Sequence, residues 1–249
     1  MANILLTTHW SDGDVMPFVR IGTILKQRGH KVTLFTHCYY EQIARDAQLD
    51  FIAWDTPEQY KNMIFDMANY TDTLAGSAEI QAFCEKYEGI DVRLTEYAKI
   101  AKRCGPEDTV IVAKNRSGIA ALLAAEKFKY PIIYIYICPF ELESILIYHD
   151  LFREKLRKEA NDLRNRLGLK PVDSWISWQC SPKVHLGIWT KWFYNESNEW
   201  PGKVDPVGYP GVSSEKLSQN TLSDDLQTIF DEDPSPLLIT GGTSKQIKP

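Results

Sequence analysis

The chain of 249 residues is 44% hydrophobic and 24% charged, with a formal net charge of −5 at pH 7. That composition supplies a sizeable core and excludes wholesale disorder, and the acidic balance argues against a nucleic-acid backbone as main partner. Five scattered cysteines without a Cys-x-x-Cys pair, and five histidines without metal-ligand spacing, point to reduced thiols and to neither a disulfide framework nor a zinc site.

The first apolar run, Ile4-Leu5-Leu6, reads as a buried strand. It passes through the polar turn Thr7 to Asp14 into an amphipathic helix that Pro17 begins and that ends near Gly29. A carboxylate, Asp14, therefore stands where strand gives way to helix, the usual place for ligand chemistry in open α/β sheets. Residues 31–36 read as a second strand and 57–103 as a helical stretch. Then come a strand over 109–113, an Ala/Leu-rich helix over 117–128 and a β-branched strand over 131–137. A long charged helix over 141–167, halted by Gly168 and Pro171, precedes short strands at 183–188 and 203–207. This alternation predicts an α/β fold, a Rossmann-like parallel sheet with helices on both faces.

Residues 213–236 are polar and linker-like. Residues 237–244 form an apolar strand ending in a Gly-rich turn, Gly241-Gly242-Thr243, of the kind that cradles a phosphate. The expected organisation is a Rossmann-like domain over 1–212, a linker over 213–236, and the first strand and loop of a second domain over 237–249. The start lacks the basic and apolar regions of a signal peptide, and the longest apolar stretch, near 132–137, is far below a membrane span. A cytoplasmic protein without a membrane span is expected. There is no Gly-x-Gly-x-x-Gly after the first strand, no Walker A, no Gly-x-Ser-x-Gly and no His-Glu-x-x-His. Dinucleotide oxidoreductase, P-loop, hydrolase-elbow and zincin chemistries are therefore set aside.

Four motifs in order carry a more specific likeness: Gly13-Asp14-Val15-Met16-Pro17, Arg28-Gly29-His30-Lys31-Val32-Thr33, Ala121 to Lys127 with Tyr130-Pro131, and Trp200-Pro201 with Val207-Gly208-Tyr209-Pro210. With these the chain resembles the N-terminal, acceptor-binding half of the GT-B glycosyltransferases that use nucleotide sugars on sterols, macrolides, glycopeptides and flavonoids. The resemblance implies inverting transfer to a hydroxyl of a small apolar molecule or lipid. Asp14 falls on the family's general-base position, and such a base is worth about 10²–10⁴-fold. His9, Trp10, Asp12, Gly13, Lys114, Asn115 and Phe140 fall along the acceptor cleft, and Gly242 and Thr243 where the family touches the diphosphate. It implies no cofactor and no metal, with a UDP- or dTDP-linked sugar as co-substrate, and a protein partner carrying the nucleotide-sugar domain.

The residues themselves leave alternatives open. Asp14, Asp12 or Ser11 also suits a helix cap. Lys114 stands where plant-type members carry an aspartate, and is either a cation beside Asp14 or a solvated loop residue. His9 is either a cleft residue or structural. The tryptophans between 175 and 200 form either late-strand packing or an apolar wall for the sugar acceptor. A catalytically silent binding or scaffolding module is the alternative function.

Overall fold

The computed structural model describes residues 1–72, 77–103, 109–194 and 202–211, with 228, 229 and 231 beyond them, the backbone alone being described over 68–72 and 77–81. The expectations placed on Trp200, on the linker apart from those three residues, and on 237–249 with Gly242 and Thr243 fall outside the described residues. Among the described residues one sheet runs β3-β2-β1-β4-β5-β6-β7, with every neighbouring pair parallel. Its strands are β1 (Asn3–Thr7), β2 (Lys31–Thr36), β3 (Asp50–Ala53), β4 (Thr109–Lys114), β5 (Ile132–Tyr136), β6 (Val184–Gly187) and β7 (Asp205–Pro206). The helices are α1 (Asp12–Gln27), α2 (Glu41–Asp46), α3 (Pro57–Asp72), α4 (Ser77–Glu88), α5 (Ile90–Arg103), α6 (Ile119–Phe128), α7 (Phe140–Arg166) and α8 (Trp175–Gln179).

The central strands are nearly continuous apolar runs because both faces are covered. On one face Leu6, Leu34 and Val112 pack with Val15, Phe18 and Val19 of α1. On the other, Leu5, Ile111, Tyr134 and Tyr136 pack against α6, α7 and α8. Helix α6 is buried through Ile119 to Ala125, which explains its run of small and branched residues. The Rossmann-like architecture is as the alternation predicts.

Several boundaries differ from the sequence expectation. Helix α1 begins at Asp12, so Pro17 lies inside it. Asp14, at the third helical position, accepts the Ser11 backbone N–H, and this reciprocal cap starts the helix one turn before the proline. The stretch 57–103 holds three helices, and the edge strand β3 precedes it. Strand β3 is four residues long and only half-buried, which gives it a weak sequence signal. Helix α7 is a single element by hydrogen bonding but kinks at Phe152, whose φ of −129° and ψ of 23° leave the helical region.

Candidate functional site

Strands β1 and β4 lie side by side where the strand order reverses, the position at which open α/β sheets form a crevice beyond their carboxyl ends. The chain leaves β1 through Thr8 to Ser11 and enters α1. Asp14 thereby comes to the edge where β4 ends in Lys114. The Asp14 carboxylate accepts from Ser11 N at 2.9 Å and Ser11 Oγ at 2.7 Å through Oδ2, and from Lys114 Nζ at 2.5 Å through Oδ1. Lys114 Nζ also lies 3.1 Å from Glu141 Oε1 in the first turn of α7. Glu141 Oε2 in turn accepts the Ile137 N–H at 2.7 Å, which ties the triad to the end of β5.

Lys114 is only 3% exposed. Burial works against its ammonium, yet the carboxylates of Glu141 and Asp14 outweigh that cost and hold its pKa above the ordinary lysine range. Asp14 is the open member of the triad, with a side chain 20% exposed. Its carboxylate has about four lone-pair positions, of which three are taken, so one remains for a ligand hydroxyl.

Above this edge lies a cavity of about 470 Å³, a size typical of small-molecule sites. Asp14, Lys114, Asn115 and Trp10 line it beside Phe83 of α4, Ile119 of α6, Ile145, Leu156 and Leu163 of α7, and Trp175 and Trp178 of α8. Trp10 holds a φ of +92°, rare outside glycine, and its indole lies 6.0 Å from the Phe83 ring. The wall opposite is braced from behind. Arg164, 3% exposed, donates to both oxygens of Glu126 (Nη1 at 2.5 Å, Nη2 at 2.6 Å), and Trp178 Nε1 donates to the same carboxylate at 3.1 Å. That network joins α6, α7 and α8.

Trp10, Asp14, Lys114 and Asn115 are thus brought together, while His9, Asp12, Gly13 and Phe140 are absent from the cavity lining. His9 turns inward: it is 3% exposed, its Nε2 lies 2.5 Å from Glu96 Oε1, and its ring stacks on Trp54 at 4.6 Å. Beside it His37 pairs with Asp55 at 2.7 Å, so this histidine cluster packs between α5 and the strand ends. Asp12 is exposed and accepts the Tyr40 hydroxyl at 2.8 Å. Gly13 is exposed in the first turn of α1. Phe140 opens α7, is 65% exposed and does not line the cavity. Lys114 is the buried cation beside Asp14, the alternative of a solvated loop residue being overturned by its burial.

Sequence reasoning missed Glu141, treated only as the start of a helix. Its signal was its place four residues beyond Ile137, at the end of the strand next to β4. It also missed Gln179 and Arg116, which line the same cavity. Among the described residues no group of three His, Cys, Asp or Glu side chains is placed to hold a metal ion, and no helix is long and apolar enough to cross a membrane.

No family model matches the chain. A sterol 3-beta-glucosyltransferase from Pichia angusta is 27% identical over 220 residues, which are 87% of this chain and 15% of that protein. Among solved structures, CalG4, the calicheamicin glycosyltransferase, superposes with a TM-score of 0.58 at 16% identity, covering 84% of this chain and 53% of its own. The glycosyltransferase VinC, solved in complex with dTDP, gives 0.52 at 14% identity over 81% and 52%. The fold is that of the N-terminal part of GT-B glycosyltransferases. The chain spans about half the length of these solved structures and 15% of the curated relative.

Proposed function

We propose that the chain is the sugar-acceptor-binding part of an inverting glycosyltransferase that works together with a nucleotide-sugar domain and acts on a hydroxyl of an apolar small molecule or lipid. The observation that carries this reading is the apolar cavity with Asp14 on its wall, at the strand-order reversal of a GT-B-like sheet. Such a cavity removes an apolar skeleton from water, worth roughly 25 cal/mol per Å² of buried area. The remaining lone pair of Asp14 takes the proton of the attacking hydroxyl as the bond to the anomeric carbon forms and the diphosphate leaves. Lys114 fixes the carboxylate in position, so Asp14 is a well-placed base. Gly242 and Thr243 would meet the diphosphate, and a UDP- or dTDP-linked sugar is the co-substrate this reading calls for.

Tryptophans 10, 175 and 178 line the cavity, so their fluorescence reports its occupancy. Titration of the chain with a rigid steroid alcohol should quench it saturably, while calorimetry with UDP-glucose and dTDP-glucose should show no binding in the micromolar range. Micromolar nucleotide-sugar affinity in the isolated chain, or absence of any steroid-dependent quench, overturns the reading.

The engagement of Asp14 by both Ser11 and Lys114 favours one second reading, a silent binding module. Asp14→Asn in a chimera with an active nucleotide-sugar domain separates the two. Asn keeps the helix cap, so a general base predicts a kcat lower by about 10²-fold or more with the affinity for the sugar acceptor retained. An unchanged kcat would remove Asp14 from the chemistry.

A further inference from the structure

One cation of the cavity plays no part in the reading above. Three basic side chains line it, Arg93, Lys114 and Arg116. Lys114 Nζ lies 2.5 Å from Asp14 Oδ1 and 3.1 Å from Glu141 Oε1. Arg93 donates through Nε to the Glu88 carbonyl at 2.6 Å, and its Nη2 lies 3.5 Å from Glu88 Oε2. Glu159, the remaining acid of the lining, has Lys155 Nζ at 3.8 Å. Among the described residues, Arg116 alone of this set has neither an ion pair nor a side-chain hydrogen bond.

The backbone under Arg116 is held while its side chain is open. Asn115 N donates to the Ile135 carbonyl at 3.0 Å, and Gly118 N to the Asn115 carbonyl at 3.0 Å. The second bond closes a tight turn at the end of β4, with Arg116 in its second position. Every other residue from Ile111 to Ala125 is buried, so Arg116 is the one exposed side chain of that stretch. Its charge is felt inside the cavity. Burial pushes the thiol of Cys84, on the same wall, above its ordinary range, and Arg116 is among the groups that pull it back down. A guanidinium fixed at its root offers five N–H donors in a planar fork, the geometry that grips a carboxylate with two parallel bonds.

We propose that the cavity takes a sugar acceptor that also bears a carboxylate, received by the Arg116 guanidinium, so that the substrate class is hydroxy acids on an apolar skeleton. This rests on the reading of the cavity given above and narrows it. The Asp14 edge sets two carboxylates against one ammonium, so an anionic group is repelled there and the neutral hydroxyl is the end that fits. The anionic end is drawn to Arg116 instead, the cation of the lining that no acid of the chain compensates. A bond between two charged partners is roughly twice as strong as a neutral one, so the site favours the acid over its uncharged analogue.

Two steroids test the charge alone: 3β-hydroxyandrost-5-ene-17β-carboxylic acid and its primary 17β-carboxamide. They share skeleton, hydroxyl and shape, so whatever the hydroxyl meets at Asp14 cancels between them. At about pH 7.5 they differ by one negative charge. Each is titrated into the full chain with the tryptophan quench as readout. The acid is expected to bind at least about tenfold tighter than the amide, the size of effect one charge-assisted contact supports. Arg116→Gln, at an exposed position, should erase that preference while leaving amide affinity within about threefold. Arg116→Lys, which keeps the charge and loses the fork, should retain part of it. Equal affinities in the unmodified chain, tighter binding of the amide, or a preference that survives Arg116→Gln overturns the inference and leaves the cavity reading standing. Excess UDP should leave the affinity for the acid unchanged; displacement would give the guanidinium to the diphosphate of the sugar donor and overturn the inference as well. Saturable binding of neither steroid overturns both.

Discussion

Lys114 holds two carboxylates in the cavity wall, and its removal has a calculable sign. Its side chain is 4% exposed between Asp14 and Glu141. In Lys114→Met those carboxylates lose the cation that they share, and breaking such a buried pair costs about 3–5 kcal/mol. Urea unfolding should show a loss of that order. Adding Glu141→Gln should recover part of it, since Glu141 is the more buried carboxylate and its charge then goes as well. A loss below about 1 kcal/mol would place the triad in the class of weak surface pairs and undercut its role in fixing Asp14. The histidines carry the converse lesson at this scale. His9 lies one residue from Trp10, yet one lines the cavity and the other packs beneath it against Glu96 and Trp54.

At the scale of elements, the turn from β4 into α6 positions both Lys114 and Asn115. A Cβ on Gly118 would stand 2.9 Å from the Lys114 carbonyl oxygen and 2.8 Å from the Tyr134 ring. Gly118→Ala must therefore push the turn away from β5, at about 1–3 kcal/mol for overpacking. The expected outcome is a lower urea midpoint together with weaker steroid-induced quench. A variant with unchanged midpoint and quench would show that the turn yields freely. This turn also marks how far the sequence could be read. Strands β1, β2, β4 and β5 are apolar runs between turn signals, and they were legible because each is buried on both faces. The half-buried β3 and the five-residue α8 carry no period long enough to detect. Asp14 was legible because the start of a helix is local chemistry. Its partners Lys114 and Glu141 come from two other strand ends, and a pairing across 100 residues of chain depends on the sheet order rather than on any spacing.

For the whole molecule, the buried histidines set the acid side of stability. His37 is fully buried, and desolvation pulls its pKa below the ordinary value despite the Asp55 partner. His185 is lowered for the same reason, by burial. A histidine whose folded pKa lies below its unfolded pKa binds fewer protons folded than unfolded. Its contribution is complete above the unfolded value of about 6.5 and is lost as pH falls through the window toward the folded value. Asp55 is held below the usual carboxylate range: burial opposes this, but the His37 hydrogen bond and the Cys38 backbone N–H outweigh it, so its share is lost only in stronger acid. Lys114, with a raised folded pKa, contributes below its unfolded value and loses that share only as pH rises through the folded one, beyond about 10.4. The thermal midpoint should accordingly be flat between about pH 7 and 8 and fall on acidification from about 6.5 to 5. His37→Asn, which retains a donor for Asp55 but cannot take up a proton, should flatten part of that acid slope even if it lowers the midpoint throughout. A midpoint that holds steady from pH 7 to 5 in the unmodified chain would mean that these rings accept their protons without opening the fold, against the burial that their surroundings impose.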